Sequence, residues 1–205
     1  MNDVREMLDL LDWKRRVFAL YGRIRSSDDP RNAWELWRDT RNEMFQSHPQ
    51  SPIPQNQRPG FQGLELYPYD PSFRVSAEVQ LAEPEEYDVP TSGDETFSFK
   101  RMGRANFELG GSVVGLELYW LTSYGGGLFV PFRDETSRTE TYGAGRYLID
   151  TVKGADLGMD GNRLVLDFNF AYSPSCSYDP KWVCPLSPPP NRLAVSVTTG
   201  EKHAR

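Results

Sequence analysis

Arg133, Asp134, Thr136, Tyr142 and Arg146 lie within one stretch, Leu128–Tyr147, where an apolar run leads into a polar turn and returns through Gly143-Ala144-Gly145. Guanidinium forks, a carboxylate and hydroxyls gathered in one hairpin are the groups that hold a small anion or polar molecule. The plainer alternative is a hairpin whose glycines supply positive φ and whose charges face water. A second set follows in Leu164–Phe170, where Asp167 and Asn169 share the face opposite Leu164, Leu166, Phe168 and Phe170. Apolar residues on both faces at 164–166 predict a central strand. A carboxylate buried there needs a cation or several donors, and Arg133 and Arg146 on neighbouring strands are the natural partners. Here the alternative is an internal ion pair that sets strand register and does nothing else.

Between Asp167 and Lys202 the chain packs Tyr172, Tyr178, Trp182, both cysteines (Cys176 and Cys184) and six prolines. Such density of φ-locking residues predicts one ordered irregular loop, the kind of segment on which sites are built. The ligand-binding candidates are therefore Arg133, Arg146, Tyr142, Asn169 and Tyr172. For catalysis, Asp167 or Asp134 is the candidate base, with Tyr142 or His48 as proton donor, provided they reach one vacant spot. Gly125-Gly126-Gly127 is no phosphate loop: it lacks the Gly-Lys-Ser/Thr that follows and precedes a strand. A nucleophile elbow and a His-Glu-x-x-His helix are both missing, and Ser-His-Asp chemistry has only His48 or His203 to draw on. Cys176, Cys184, His48 and His203 match a structural zinc in number but not in spacing. Neither a metal nor a cofactor is expected. A bridge closing so short a loop would contribute about 2.5 kcal/mol, but a reducing cytosol favours free thiols. His48, at a helix end before Pro49, reads as a C-terminal cap.

Elements of two periods must position these groups. Val4, Met7, Leu8, Leu11, Phe18, Tyr21 and Ile24 recur at helical spacing through Asp3–Arg25. A second helix starts at Asp28 or Asp29 with Pro30 in its first turn, carries Ala33, Trp34, Trp37, Met44 and Phe45, and stops before Pro49. A proline-rich linker runs to about Gly60. The period then drops to two: Phe73, Val75, Ala77, Val79 and Leu81 alternate with polar residues, predicting one half-buried strand. Further strands are expected at 96–102, 106–109, 113–122, 127–133, 146–151, 164–170 and 193–199. The expected fold is mainly β, an antiparallel β-barrel or sandwich with an N-terminal two-helix arm. Residues 1–60 form the arm and linker and residues 61–205 the β domain, in one folding unit. Trp34 and Trp37, if exposed, would anchor the arm on a second copy and make a homo-oligomer.

The formal charge of −6 and pI near 5.0 argue against nucleic acid and anionic membrane as partners. Charges interrupt Met1–Leu20, so no signal peptide or spanning run is expected, and the localisation expected is cytoplasmic.

Three segments in order resemble the DUF1684 family of bacterial and archaeal proteins over roughly residues 35–202. They are Phe45–Pro52 with its Ser47-His48-Pro49; Gly126–Tyr147 with Pro131-Phe132-Arg133-Asp134 and Thr141-Tyr142-Gly143-Ala144-Gly145-Arg146-Tyr147; and Asp167-Phe168-Asn169 through Cys176, Cys184-Pro185-Leu186 and Asn191-Arg192-Leu193 to Gly200-Glu201-Lys202. The resemblance implies that His48, Arg133, Asp134, Tyr142, Arg146, Asp167, Asn169, Tyr172, Cys176 and Cys184 are shared motif residues. It implies no reaction. Ser173 departs from an asparagine that the family more often places before Pro174. Three readings stand: a β-domain cavity that binds a small polar or anionic molecule, an enzyme using the Asp/Tyr/His set there, or a non-catalytic interaction module.

Overall fold

A computed structural model describes residues 4–203, so Asp3 of the expected first helix lies outside the described residues. Helix α1 spans Val4–Arg25 and α2 spans Pro30–Ser47. The Asp29 carboxylate caps α2 by accepting from the Arg31 and Asn32 amides at 2.9 and 3.1 Å, a cap worth about 1 kcal/mol. At the other end His48 turns extended before Pro49, its own amide closing onto the Met44 carbonyl at 3.0 Å.

Eight strands follow: β1 Arg74–Ala77, β2 Val79–Pro90, β3 Thr96–Leu109, β4 Ser112–Leu121, β5 Gly127–Phe132, β6 Arg146–Asp150, β7 Met159–Asp160 and β8 Arg163–Asp167. They form two antiparallel sheets, one in the order β1-β8-β7 and the other in the order β2-β3-β4-β5-β6. Among the described residues no pairing joins β2 to β6, so the larger sheet stays open.

Four expectations change here. The single strand at 73–81 splits at Glu78, because the chain leaves the small sheet there and enters the large one. The alternation fails at that crossing, and Leu81 ends 81% exposed. Conversely, 96–102 and 106–109 are one strand, continued across a register shift between Arg101 and Gly103. A side chain at Gly103 would run into the backbone of Gln80 and Leu81, which explains a residue without one in mid-strand. Residues 193–199 form no strand. Their backbone is held instead by Leu193 N–H donating to the Arg133 carbonyl at 2.8 Å and by Val197 N–H donating to the Asp134 carboxylate at 2.7 Å. Finally β8 stops at Asp167, whose carboxylate accepts from the Asn169 amide at 3.0 Å and caps a 3-10 turn over Phe168–Phe170.

That turn divides two cores. Phe168 packs with Leu116, Leu118, Phe132, Leu148 and Leu166, while Phe170 packs with the helices through Tyr21, Trp34 and Trp37. Trp37 is fully buried and donates to the Tyr21 hydroxyl at 3.1 Å; Trp34 donates to the Asn169 carbonyl at 3.0 Å. Both indoles are thus occupied within their own chain and are not free to anchor a second copy. Burial of this kind makes a truncation such as Trp37→Ala cost about 3–5 kcal/mol. Among the described residues no helix is long and apolar enough to cross a membrane.

Candidate functional site

The sequence candidates fall into separate places, each with its own partners. Arg146 opens β6 and is buried to 1%; its guanidinium donates to the carbonyls of Thr199 (2.5 Å), Val197 (2.9 Å) and Glu201 (3.2 Å) and to Asp134 at 3.3 Å. Asp134, equally buried, also accepts from Thr136, Ser137 and the Val197 amide. Burial lowers the Arg146 pKa despite Asp134 beside it. Four hydrogen bonds from its two terminal nitrogens hold the guanidinium, so this centre ties the hairpin to the C-terminal segment.

Asp167 and Asn169 do not meet either hairpin arginine. Asp167 accepts from Arg74 of the paired strand β1 at 3.0 Å and from Asn169, and burial raises its pKa against both. Asn169 clasps the backbone of Asp70 through both amide atoms at 2.8 Å. His48 is the C-cap of α2, as expected, through its backbone, while its ring turns elsewhere: Nε2 lies 3.1 Å from Asp12 of α1, and Nδ1 accepts from the Gln50 amide. Among the described residues no hydrogen bond joins any two of Asp167, Asp134, Tyr142 and His48. No three His, Cys, Asp or Glu side chains gather as a metal centre would need, again among the described residues.

Arg133 stands differently. Its Nε donates to the Ala144 carbonyl at 3.2 Å, and burial with two neighbouring like charges, Arg138 and Arg192, lowers its pKa. Among the described residues neither Arg133 nor Arg138 has a carboxylate partner, and Arg192 reaches Glu135 only at 3.9 Å.

A recess with a charged pair at its edge lies around Lys153, which the sequence reading passed over; a larger one, of about 250 Å³, lies between Ile53, Phe61, Tyr178, Lys202 and His203. Strand β6 ends at Asp150, whose carboxylate caps a 3-10 turn over Thr151–Lys153. The Asp150 and Ala155 backbones pair at 2.9 Å in both directions. Gly154 closes the turn at φ 84, and a Cβ there would press on the Phe18 ring of α1 at 3.1 Å, so glycine alone suits both the backbone and the helix contact. The turn aims Lys153 at Asp150, 3.4 Å away; the carboxylate is 8% exposed, and the lysine, with an enclosed stem, is 45% exposed. Enclosure pulls the ammonium pKa down, but Asp150 and the Cys184 sulfur outweigh it, leaving it above its ordinary 10.5.

Three recesses share this lysine. One of about 170 Å³ is walled by Phe97, Phe99, Leu121, Phe129, Val183 and Pro185, with Asp150 and Lys153 as its charged residues. Another of about 150 Å³ lies under α1 between Trp13, Trp182 and Cys184, and a third of about 50 Å³ reaches Tyr172 and Arg41. Of the sequence candidates, Tyr172 lines the smallest of these recesses. The Tyr172 hydroxyl lies 3.5 Å from Asp150, and the Tyr142 hydroxyl lies 3.8 Å from Cys176. Burial and the neighbouring sulfur push Tyr142 up to about 12. Tyr147, T-stacked on Phe129 at 4.8 Å, donates to the Pro185 carbonyl and so pins the cysteine loop to the sheet. Arg133, Arg146, Tyr142, Asp134, Asp167, Asn169 and His48 are not among the lining residues. The missed signal was Asp150-x-x-Lys153-Gly154 directly after an apolar strand, a capped turn that fixes a lysine in place.

None of the curated proteins compared matches this chain. Among solved structures it is similar to the solution NMR structure of an uncharacterized protein from gene locus rrnAC0354 of Haloarcula marismortui. The two are 38% identical, with 82% of this chain and 91% of that one covered and a TM-score of 0.60. The family described as protein of unknown function, DUF1684, matches residues 59–202, which leaves Phe45–Pro52 outside the matched part. With most of its length matched, the chain belongs to the DUF1684 family.

Proposed function

We propose that the protein binds a small molecule with an apolar body and a polar, hydrogen-bond-accepting head in the recess beside Lys153. What carries this reading is one arrangement: a partly exposed ammonium at the edge of an aromatic-walled cavity, held by a capped turn and with only one of its donors spent on Asp150. Concave apolar walls with few placed polar groups are the usual make-up of a ligand site. The volume of about 170 Å³ falls below that of pockets for drug-sized ligands and favours a smaller guest. Because Asp150 offsets the lysine charge, the head group need only accept a hydrogen bond; a full anion is not required. The β domain, 61–205, would carry the recess, and the arm, 1–60, would cover the neighbouring recess under α1 through Trp13. Two unpaired thiols beside it support a reducing, cytoplasmic setting.

A second reading keeps Arg133 as an anion ligand, favoured by the like-charge crowding with Arg138 and Arg192, which a bound anion would relieve. A thermal-shift screen separates the two. Phenylacetamide and hexanamide should raise the melting temperature of the wild type and of Arg133→Ala but not of Lys153→Met. Phosphate or sulfate acting through Arg133 would show the reverse pattern. Amide responses that survive Lys153→Met unchanged would remove the first reading.

A further inference from the structure

The wider cavity, of about 250 Å³, opens where the proline-rich linker meets the C-terminal segment, and it shares no lining residue with the recesses around Lys153. Separate sets of bonds hold its two walls. On the linker side the Arg58 guanidinium donates to the carbonyls of Ile53 (3.0 Å), His48 (3.0 Å) and Pro49 (3.2 Å), which fixes the turn that presents Ile53. The Asn42 side chain accepts from the Leu64 amide at 2.8 Å and pins the chain just after Gly63, whose φ of 115 is a glycine conformation. On the other side Lys202 N–H donates to the Glu65 carbonyl at 2.8 Å, next to an antiparallel bridge between Leu66 and Glu201.

Two acceptors in this cavity are unspent. The His203 ring stacks on Tyr178, with centroids 4.7 Å apart, and its Nε2 lies 2.9 Å from the Ser177 carbonyl. A carbonyl can only accept, so Nε2 carries the proton and the neutral ring keeps its lone pair on Nδ1. Among the described residues no hydrogen bond reaches that Nδ1, and no hydrogen bond or ion pair reaches the Glu65 carboxylate. The neighbouring cation is drawn elsewhere. The Lys202 ammonium lies 4.8 Å from the centre of the Tyr67 ring and 3.9 Å from Glu140, and neither of those residues lines the cavity. Ile53, Pro54, Phe61, Leu64 and Tyr178 make the rest of the wall apolar or aromatic.

We propose that this cavity binds a small primary amine with an apolar body. An ammonium group brings three donors and a positive charge, which a carboxylate and an imidazole lone pair complement. Glu65 supplies the opposite charge and His203 Nδ1 accepts a second N–H. The Phe61 and Tyr178 rings take the apolar body, and an aromatic face also attracts a cation near it. A neutral guest of the same shape forgoes the ion pair, and an anion meets Glu65 as a like charge. The sign of the charge, more than the shape, therefore sets the preference.

The test titrates the full chain, methyl-labelled at isoleucine and leucine, with phenethylamine at mildly alkaline pH. The Ile53 and Leu64 methyls should shift saturably while those of Leu121 and Leu166 stay put. Phenethyl alcohol, similar in shape but uncharged, should bind about tenfold more weakly, and hydrocinnamate should produce no shift. Glu65→Gln, at an exposed position, should weaken the amine about tenfold. His203→Phe keeps a ring against Tyr178 and should weaken it about fivefold, with circular dichroism confirming that each variant is folded. The proposal is overturned if phenethylamine gives no saturable shift or shifts Leu121 with Ile53 and Leu64 silent. It is equally overturned if the alcohol binds as tightly as the amine, or if Glu65→Gln leaves the amine affinity unchanged.

Discussion

The Arg146 centre and the Lys153 recess use the same kinds of group, a cation and a carboxylate beside aromatic rings, and end with opposite properties. At Arg146 the guanidinium meets three carbonyls and Asp134 in a space that excludes everything else. At Lys153 one ion pair with Asp150 leaves donors unspent and room beside them. Residue type therefore does not separate a structural centre from a site; the count of filled valences and the adjacent space do.

That contrast can be broken from either side. Arg146→Ala removes one partner of a buried pair and should cost about 3–5 kcal/mol, or prevent folding, as read by urea denaturation. A cost below about 1 kcal/mol, typical of surface pairs, would make the Arg146 centre look like the Lys153 one. Gly154→Ala should cost about 1–2 kcal/mol from the left-handed backbone alone, with the Phe18 contact adding to it. It should also weaken ligand responses by displacing Lys153. Lys153→Met should change stability by less than about 1 kcal/mol, since its pair is partly exposed. Its pH dependence has a fixed sign. The folded pKa is raised, so the pair's contribution is present below the ordinary 10.5 and fades as pH climbs beyond it. The variant should lose that alkaline slope. Smallest of all, Arg133→Ala should lie within about 0.5 kcal/mol of the wild type, because it relieves crowding by Arg138 and Arg192 while giving up one bond to Ala144.

Much of the frame was legible because its signals are local. Asp29-Pro30 marked the start of α2, and the change of period marked the passage from helices to sheets. The split at Glu78 was hidden because alternation records which faces are apolar and not which sheet a strand joins. The partner of Asp167 was misread for a similar reason: Arg74 lies far away in sequence and next to it only through the β1–β8 register. Tyr142 and Tyr172 were legible as aromatic residues near turns; Tyr172 lines a small recess that also holds Lys153, and Tyr142 lines none of those recesses. Lys153 was not, since a lone lysine after a strand looks solvated until the Asp150 cap and Gly154 fix its direction.

The account is tested most directly by methyl-labelled NMR with phenylacetamide as the titrant. The predicted result is a saturable shift of the Leu121, Val152 and Val183 methyls, with Leu166 and Val197 in the inner core unmoved, and loss of the response in Lys153→Met. Saturable shifts centred on the 133–145 hairpin, with the recess methyls silent, would contradict it.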